Sequence, residues 1–300
     1  MKVLVSGAGG YLGRRVVEEL AGHGIDVVAG IRGPVADTSG RSVILDLRFP
    51  FDLFKTLATV RPDAVVALAY VRTDAAKANP QMALESDVVG MNALFEASAT
   101  LRIPVVVYAS SINVYGLQAD FGDMYITEDM HGEPRTLYGW MKRLNEVQAD
   151  HYNASSDTRY IGVRFSGIHG DGKRGGFDPF DRIVTAAIDR ADAVTLPWSS
   201  NLEISFVHVD DAARIVAELV IAPTTRSSIY NSGGDVFTLG SLAAAARELT
   251  GVKVQCTEPG GEILAVSRVD NARLTREFDI TLTPATEWLT REVGERISAR

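Results

Sequence analysis

The chain has 300 residues, 46% of them apolar and 23% charged, which is ordinary globular material and enough for one large α/β domain or two joined lobes. A net charge of −8 and a pI near 5.2 argue against a nucleic-acid-binding or anionic-membrane-binding surface. The single cysteine, Cys256, excludes an internal disulfide and a multi-cysteine metal site, and a reducing cytoplasm is the simplest home for it.

The opening, Lys2 to Ser6, is read as a first strand and not a signal peptide, because its apolar run stops at once in glycines and then Arg14-Arg15. Helix follows from about Tyr11 to Ala21, with Leu12, Val16, Val17 and Leu20 on one face, and Gly24 suits the turn out of it. Asp26 to Ile31, Ser42 to Leu45, Asp63 to Leu68 and Pro104 to Ala109 read as strands, with a long helical pattern over about Gln81 to Leu101. Another helix spans about Leu137 to Asn153, and Arg159 to Arg164 is a sixth strand. Apolar strands alternating with helices predict a Rossmann-like, doubly wound parallel sheet over residues 1–167.

After Gly167 the alternation breaks. A polar loop, 171–176, precedes helical patterns at about Pro179 to Ala191, Asp210 to Ile221 and Leu239 to Thr250, with short strands at Glu203 to Val207 and Val252 to Cys256. Residues 168–300 are therefore expected to form mostly a smaller substrate-binding lobe, with about 204–222 returning to the Rossmann sheet. No stretch approaches the roughly 18 apolar residues of a membrane span.

Gly7, Gly10 and Gly13 punctuate the first strand-to-helix turn. Glycines there let backbone N–H groups approach a pyrophosphate at the positive end of a helix, a dinucleotide-binding arrangement. Tyr11 and Leu12 belong to the same turn. The second strand ends in Arg32 and carries no acidic residue for a ribose 2′-hydroxyl. A guanidinium suits a 2′-phosphate, so NADP is favoured, with NAD as the alternative. Asp46 and Leu47, after the third strand, are placed to touch adenine, although Asp46 also reads as a simple loop acid.

Tyr138 and Lys142, four residues apart, share one helical face. A lysine held there would favour phenolate by charge and lower the tyrosine's pKa from about 10, which suits proton exchange with an alcohol or ketone. Ser111, at the carboxyl end of the fifth strand, should look into the ligand cleft and hold the substrate oxygen; the alternative is a serine that bonds its own backbone. His23, His131, His151 and His169 have no metal-ligand spacing, and Asp210 or Asp211 is expected to cap the helix after His208. Lys173 and Arg174 could grip an anionic substrate, but the simpler reading is a solvated loop. That loop and Leu196 to Trp198 are expected to line the substrate pocket.

Taken together these residues resemble the extended short-chain dehydrogenase/reductases, the NAD-dependent epimerase/dehydratase family, over nearly the whole chain. The resemblance is carried by Gly7-x-x-Gly10-x-x-Gly13, Asp46-Leu47, Ser110 to Gly116, Tyr138-x-x-x-Lys142, Phe206 to Asp211 and Tyr230-Asn231-x-Gly233-Gly234. It implies Ser111, Tyr138 and Lys142 as the catalytic set, with Lys142 also holding the nicotinamide ribose. It implies a cofactor touched further by Leu68, Ala69, Ala109, Phe165 and Ile168, and pairing through two long helices into a homodimer. Asn113, Ser166 and Arg268 are the implied substrate contacts. The chain departs from the family pattern at Asp87 and Ser166, where asparagines are usual, and at Ile204, where an arginine usually binds a nucleotide-sugar diphosphate. Ile112-Asn113 after Ser111 replaces the Thr-Asp-Glu of sugar dehydratases and counts against dehydration.

The expected function is hydride transfer between a nicotinamide cofactor and a secondary alcohol or ketone, a small molecule such as a sugar or sugar nucleotide. Two alternatives stand beside it: an epimerase that reoxidises its cofactor each cycle, and a non-catalytic dinucleotide-sensing regulator, a class that tends to lose the tyrosine or lysine kept here.

Overall fold

The computed structural model describes residues 1–33, 41–71, 73–173, 177–261 and 264–298. The chain begins β1 (Lys2–Ser6), α1 (Tyr11–Gly22), β2 (Asp26–Ile31), β3 (Arg41–Ile44), α2 (Pro50–Val60) and β4 (Ala64–Ala67). Helices α3 (Thr73–Ala78) and α4 (Pro80–Leu84) pass through a π turn (Glu85–Gly90) into α5 (Met91–Thr100), followed by β5 (Val105–Ser111), α6 (Leu137–Ser155) and β6 (Arg159–Phe165). The second half contains β7 (Gly167–His169), α7 (Pro179–Ile188), β8 (Ala193–Trp198), β9 (Glu203–His208), α8 (Val209–Ile221), β10 (Ile229–Asn231) and β11 (Asp235–Thr238). It closes with α9 (Leu239–Thr250), β12 (Lys253–Gly261), α10 (Ala272–Glu277) and α11 (Ala285–Ser298).

Among the described residues, seven strands form one parallel sheet in the order β10-β6-β5-β4-β1-β2-β3. This is the doubly wound sheet expected from the alternation. Both faces are covered, which is why β1 and β4 read as unbroken apolar runs. On one face Val16 and Leu20 of α1 and Ile215 and Leu219 of α8 pack with Val3, Val5 and Val66. On the other, Leu53, Leu57, Leu94 and Phe95 pack with Leu4, Val65 and Val106. Each such burial stabilises by about 1.5–3 kcal/mol, more than the roughly 1 kcal/mol span of strand propensities, so the apolar pattern decides the fold. Strand order reverses between β1 and β4, the point at which open parallel sheets bind ligands beyond the carboxyl ends of their strands. A second apolar core gathers Phe180, Ile183, Leu196, Ile204, Phe206, Leu239 and Leu289 from the second half of the chain. No helix of the described residues is long and apolar enough to cross a membrane.

Two elements differ from the sequence reading. The helix expected over Gln81 to Leu101 is broken by the π turn, where Gly90 lies so close to Leu47 that a Cβ would come within 2.5 Å of the Leu47 carbonyl oxygen. The return of 204–222 to the Rossmann sheet divides in two. Helix α8 does lie on that sheet beside α1. Strand β9 instead joins β7 and β11 in a separate three-stranded sheet, and β10 takes the edge beside β6. Gly162 makes room for β10, since a Cβ there would sit 2.5 Å from the Ile229 side chain. Helices α2, α3, α10 and α11 and strands β7, β8, β10 and β11 were not anticipated as elements.

Candidate active site

The glycine turn is shaped for close approach. Gly7 has φ +73°, and a Cβ on it would lie 2.8 Å from the Ala69 amide nitrogen. A Cβ on Gly13 would overlap the Gly7 carbonyl. Gly10 is the N-cap of α1 and no side chain caps the helix, so the first-turn N–H groups of Tyr11, Leu12 and Gly13 remain for an anion. This cradle fits a dinucleotide pyrophosphate. Leu68 and Ala69 leave β4 directly against Gly7. The Tyr11 hydroxyl is buried near Gly170 with no hydrogen-bond partner among the described residues, and burial pushes its pKa up.

Arg32 is exposed just beyond β2. Asp46 is gripped by Arg48, whose Nε and Nη2 donate at 3.0 and 2.6 Å, and this contact draws its carboxyl below the usual range. Leu47 is buried in the core beneath the π turn. Phe165 ends β6, and Ile168, in β7, offers its carbonyl to Lys173 at 2.6 Å.

Tyr138 and Lys142 lie in the first two turns of α6, whose start is fixed by Thr136 Oγ1 accepting from the Gly139 amide at 3.0 Å. The Lys142 ammonium donates to the Ala109 carbonyl at 2.8 Å. It stands 5.8 Å from the centre of the Tyr138 ring and 5.7 Å from that of Tyr70. Ser111 Oγ accepts from the amide and side chain of Asn113, at 3.3 and 3.0 Å, and is hydrogen-bonded to the Tyr138 phenol. Ser111, Tyr138 and Lys142 thus meet at the carboxyl end of β5, while Ser111 also makes the local backbone bond that was its alternative reading.

The electrostatics correct the sequence reading. Burial pushes the Tyr138 pKa up, Tyr70 and Asp87 add to the shift, and the Ser111 hydrogen bond only opposes it. Lys142 does not bring it down. Its ammonium is itself disfavoured by burial, which lowers its pKa against the pull of Asp87 and Glu146. Desolvation outweighs the charge argument drawn from spacing alone.

Some participants were not anticipated as members of the site, although Asp87 was marked as a departure from the family pattern. Tyr70 packs against Tyr138 with ring centres 6.1 Å apart. Asp87, in the π turn, accepts from the Val71 amide at 3.0 Å; burial raises its pKa while the Lys142 charge opposes. Glu146, one further turn along α6, binds Ser110 Oγ at 2.6 Å and Arg164 at 2.8 and 2.9 Å. A Lys-x-x-x-Glu spacing was the only signal for Glu146.

A cavity of about 760 Å³ opens beyond Ser111, and Asn113 and Ser166 line it with Phe177 and residues 201–206. Arg268 is not on its wall, nor are residues 196–198 or 171–173. Lys173 is no solvated loop residue: its ammonium also donates to the Phe177 carbonyl at 2.7 Å, and burial lowers its pKa to about 8. Arg174 lies outside the described residues. The cap of α8 is His208, whose Nδ1 accepts from the Asp210 amide at 3.2 Å. Asp211 instead turns inward to the Thr283 amide at 2.8 Å and to Arg214, tying α8 to the segment before α11.

The family described as NAD dependent epimerase/dehydratase matches residues 3–233. Protein CapI of Staphylococcus aureus is 28% identical over 250 residues, covering 78% of this chain and 73% of that protein. A UDP-glucose 4-epimerase of Lactobacillus helveticus is 25% identical over 282 residues, covering 86% and 84%. Among solved structures, MoeE5 in complex with UDP-glucuronic acid and NAD superposes with a TM-score of 0.85 at 25% identity over 100% of both chains.

Proposed function

This chain belongs to the NAD-dependent epimerase/dehydratase family, and from that premise we propose that it oxidises a secondary alcohol or reduces the matching ketone, with Ser111, Tyr138 and Lys142 as catalytic residues. The observation that carries the reading is the meeting of a hydroxyl, a phenol and a buried ammonium beside the glycine cradle. A bound nicotinamide dinucleotide supplies the hydride acceptor or donor. Ser111 orients the substrate oxygen. Tyr138 gives that oxygen a proton during ketone reduction and takes one during alcohol oxidation. Lys142, anchored on the Ala109 carbonyl, sits where its remaining donors can hold ribose hydroxyls.

Gly7, Gly10 and Gly13, with the amides of Tyr11 and Leu12, hold the pyrophosphate in this reading, and Leu68, Ala69, Phe165 and Ile168 flank the rest. Arg32 meets a 2′-phosphate, which makes NADP the cofactor. Epimerisation is the second reading, supported by the likeness to the Lactobacillus enzyme and by NAD in the MoeE5 complex. One experiment separates them. Dinucleotide released from denatured protein and weighed by mass spectrometry should be NADP, and turnover should change nicotinamide absorbance. NAD retained through purification, with product formed at constant absorbance, would establish the epimerase instead.

The same reading includes a homodimer. Leu137, Trp140, Leu144 and Val147 form one stripe along α6, and with Leu84 and Val89 they are between 42% and 57% exposed. Two copies related by a twofold axis would bury these stripes against each other. Trp140→Glu is expected to give a monomer in light scattering; an unaltered mass for that variant, or a monomeric parent protein, would refute the pairing.

A further inference from the structure

Among the described residues the cavity beyond Ser111 is lined by no lysine, arginine or histidine, and its charged lining groups are Glu203 and Glu258. Arg268, a cation that the sequence offers to this pocket, is committed to an ion pair. Its Nε and Nη2 donate to the two carboxylate oxygens of Glu203 at 2.8 and 3.0 Å, and its Nη1 donates to the Asp123 carbonyl at 3.0 Å. The planar face that would recognise a phosphate bidentately is therefore already occupied by a carboxylate. Ser267 Oγ fixes Glu203 further at 2.6 Å. Lys173 turns its ammonium to the Ile168 and Phe177 carbonyls and lies over the Phe206 ring, 5.4 Å from its centre.

With Glu203 matched by Arg268, the exposed Glu258 is the remaining charge on the described wall, and no described side chain there offers a cation to an anion. The rest of the wall sets amides and hydroxyls, including Asn113, Ser166 and Asn201, against the rings of Phe177 and Phe206. Hydrogen-bonding groups interleaved with apolar faces suit a molecule that is both hydroxylated and uncharged.

We infer that the pocket takes a neutral, polyhydroxylated secondary alcohol or its ketone, and that the Glu203–Arg268 pair shuts out substrates bearing a phosphate or diphosphate. The inference rests on the oxidoreductase reading above. In the forward step the carbinol C–H leaves as hydride to the nicotinamide and the O–H proton passes to Tyr138, so alcohol and oxidised dinucleotide become ketone, reduced dinucleotide and a proton.

The test compares initial rates of nicotinamide reduction by the full chain with free aldoses and alditols in one arm and UDP-glucose and glucose phosphate in the other. Calorimetric titration with UDP-glucose accompanies it. The expected result is kcat/KM at least about tenfold higher for the best neutral substrate, and no UDP-glucose binding up to about 1 mM. Glu203→Gln, which keeps a polar side chain of the same shape but releases the guanidinium, should gain at least about tenfold in UDP-glucose affinity. Micromolar binding of UDP-glucose to the unaltered protein, or its preferred turnover, overturns the inference and leaves the hydride chemistry standing. A Glu203→Gln protein that gains no affinity overturns the role of the ion pair. Absence of nicotinamide reduction in both arms, despite bound dinucleotide, overturns the oxidoreductase reading and the inference with it.

Discussion

Replacement of Tyr138 by phenylalanine is expected to lower kcat by about 10²–10⁴-fold, the usual contribution of a positioned acid or base, while dinucleotide affinity stays within about threefold. The substitution removes one oxygen. The ring keeps its contacts with Tyr70, 6.1 Å away, and with the Lys142 ammonium at 5.8 Å. Ser111 loses its phenol partner but retains Asn113. Loss of rate with preserved dinucleotide binding therefore isolates the proton step. The pH dependence follows from the direction of the Tyr138 shift. Burial, with Tyr70 and Asp87, raises its pKa, so the phenol keeps its proton through neutral pH. Ketone reduction, which needs that proton, should be flat with pH there. Alcohol oxidation needs the phenolate and should climb as pH rises. Steady-state kinetics in both directions check this, and a Tyr138→Phe protein with parental rates would remove the phenol from the chemistry.

The Rossmann half was legible because its physics is local. Strands such as Leu4–Val5 and Val65–Val66 are buried on both faces and read as unbroken apolar runs. The meeting of Ser111, Tyr138 and Lys142 was legible because a strand end and a helix face place them by spacing alone. Helix α2 carried signals that were passed over, a proline at its start and Asp52 in its first turn. Helix α11 was not legible, because what holds it is distant in sequence: Trp288 stacks on the His208 ring with centres 3.4 Å apart, and Glu292 meets the same imidazole at 2.9 Å. The pKa directions were unreadable because burial sets both, with Tyr70 and Asp87 adding to the Tyr138 shift and Asp87 opposing that of Lys142 from other segments. The commitment of Arg268 to Glu203 likewise joins residues 65 apart, and no local pattern announces it.

Glu146→Ala is expected to destabilise the protein by about 3–5 kcal/mol, the usual cost of stranding one member of a buried ion pair. Both side chains of the Glu146–Arg164 pair are only 4% exposed. Arg164 Nε and Nη2 meet the two oxygens of Glu146 at 2.8 and 2.9 Å, and its Nη1 meets the Tyr115 hydroxyl at 2.7 Å and the Glu128 carbonyl at 3.1 Å. From Tyr115 the network continues to Asn231 at 2.8 Å, so α6, the ends of β5 and β6, and β10 share one set of polar contacts. Alanine would leave a guanidinium with two donors unmatched in the interior. The melting temperature should fall on the order of 10 °C. A double replacement, Glu146→Met with Arg164→Met, should recover much of the loss, because paired apolar side chains avoid the desolvation of both charges. The pair also sets an acid limit. Burial alone would raise the Glu146 carboxyl, but Arg164, Ser110 and Arg143 outweigh it and the folded-state pKa lies below the usual value. The stability it contributes is complete above the unfolded carboxyl's pKa of about 4.3 and is lost as pH falls through the lower folded value. Thermal melts at neutral pH and across the acid range read both effects, and a Glu146→Ala protein that melts within about 2 °C of the parent would show that the network does not hold α6 to the sheet.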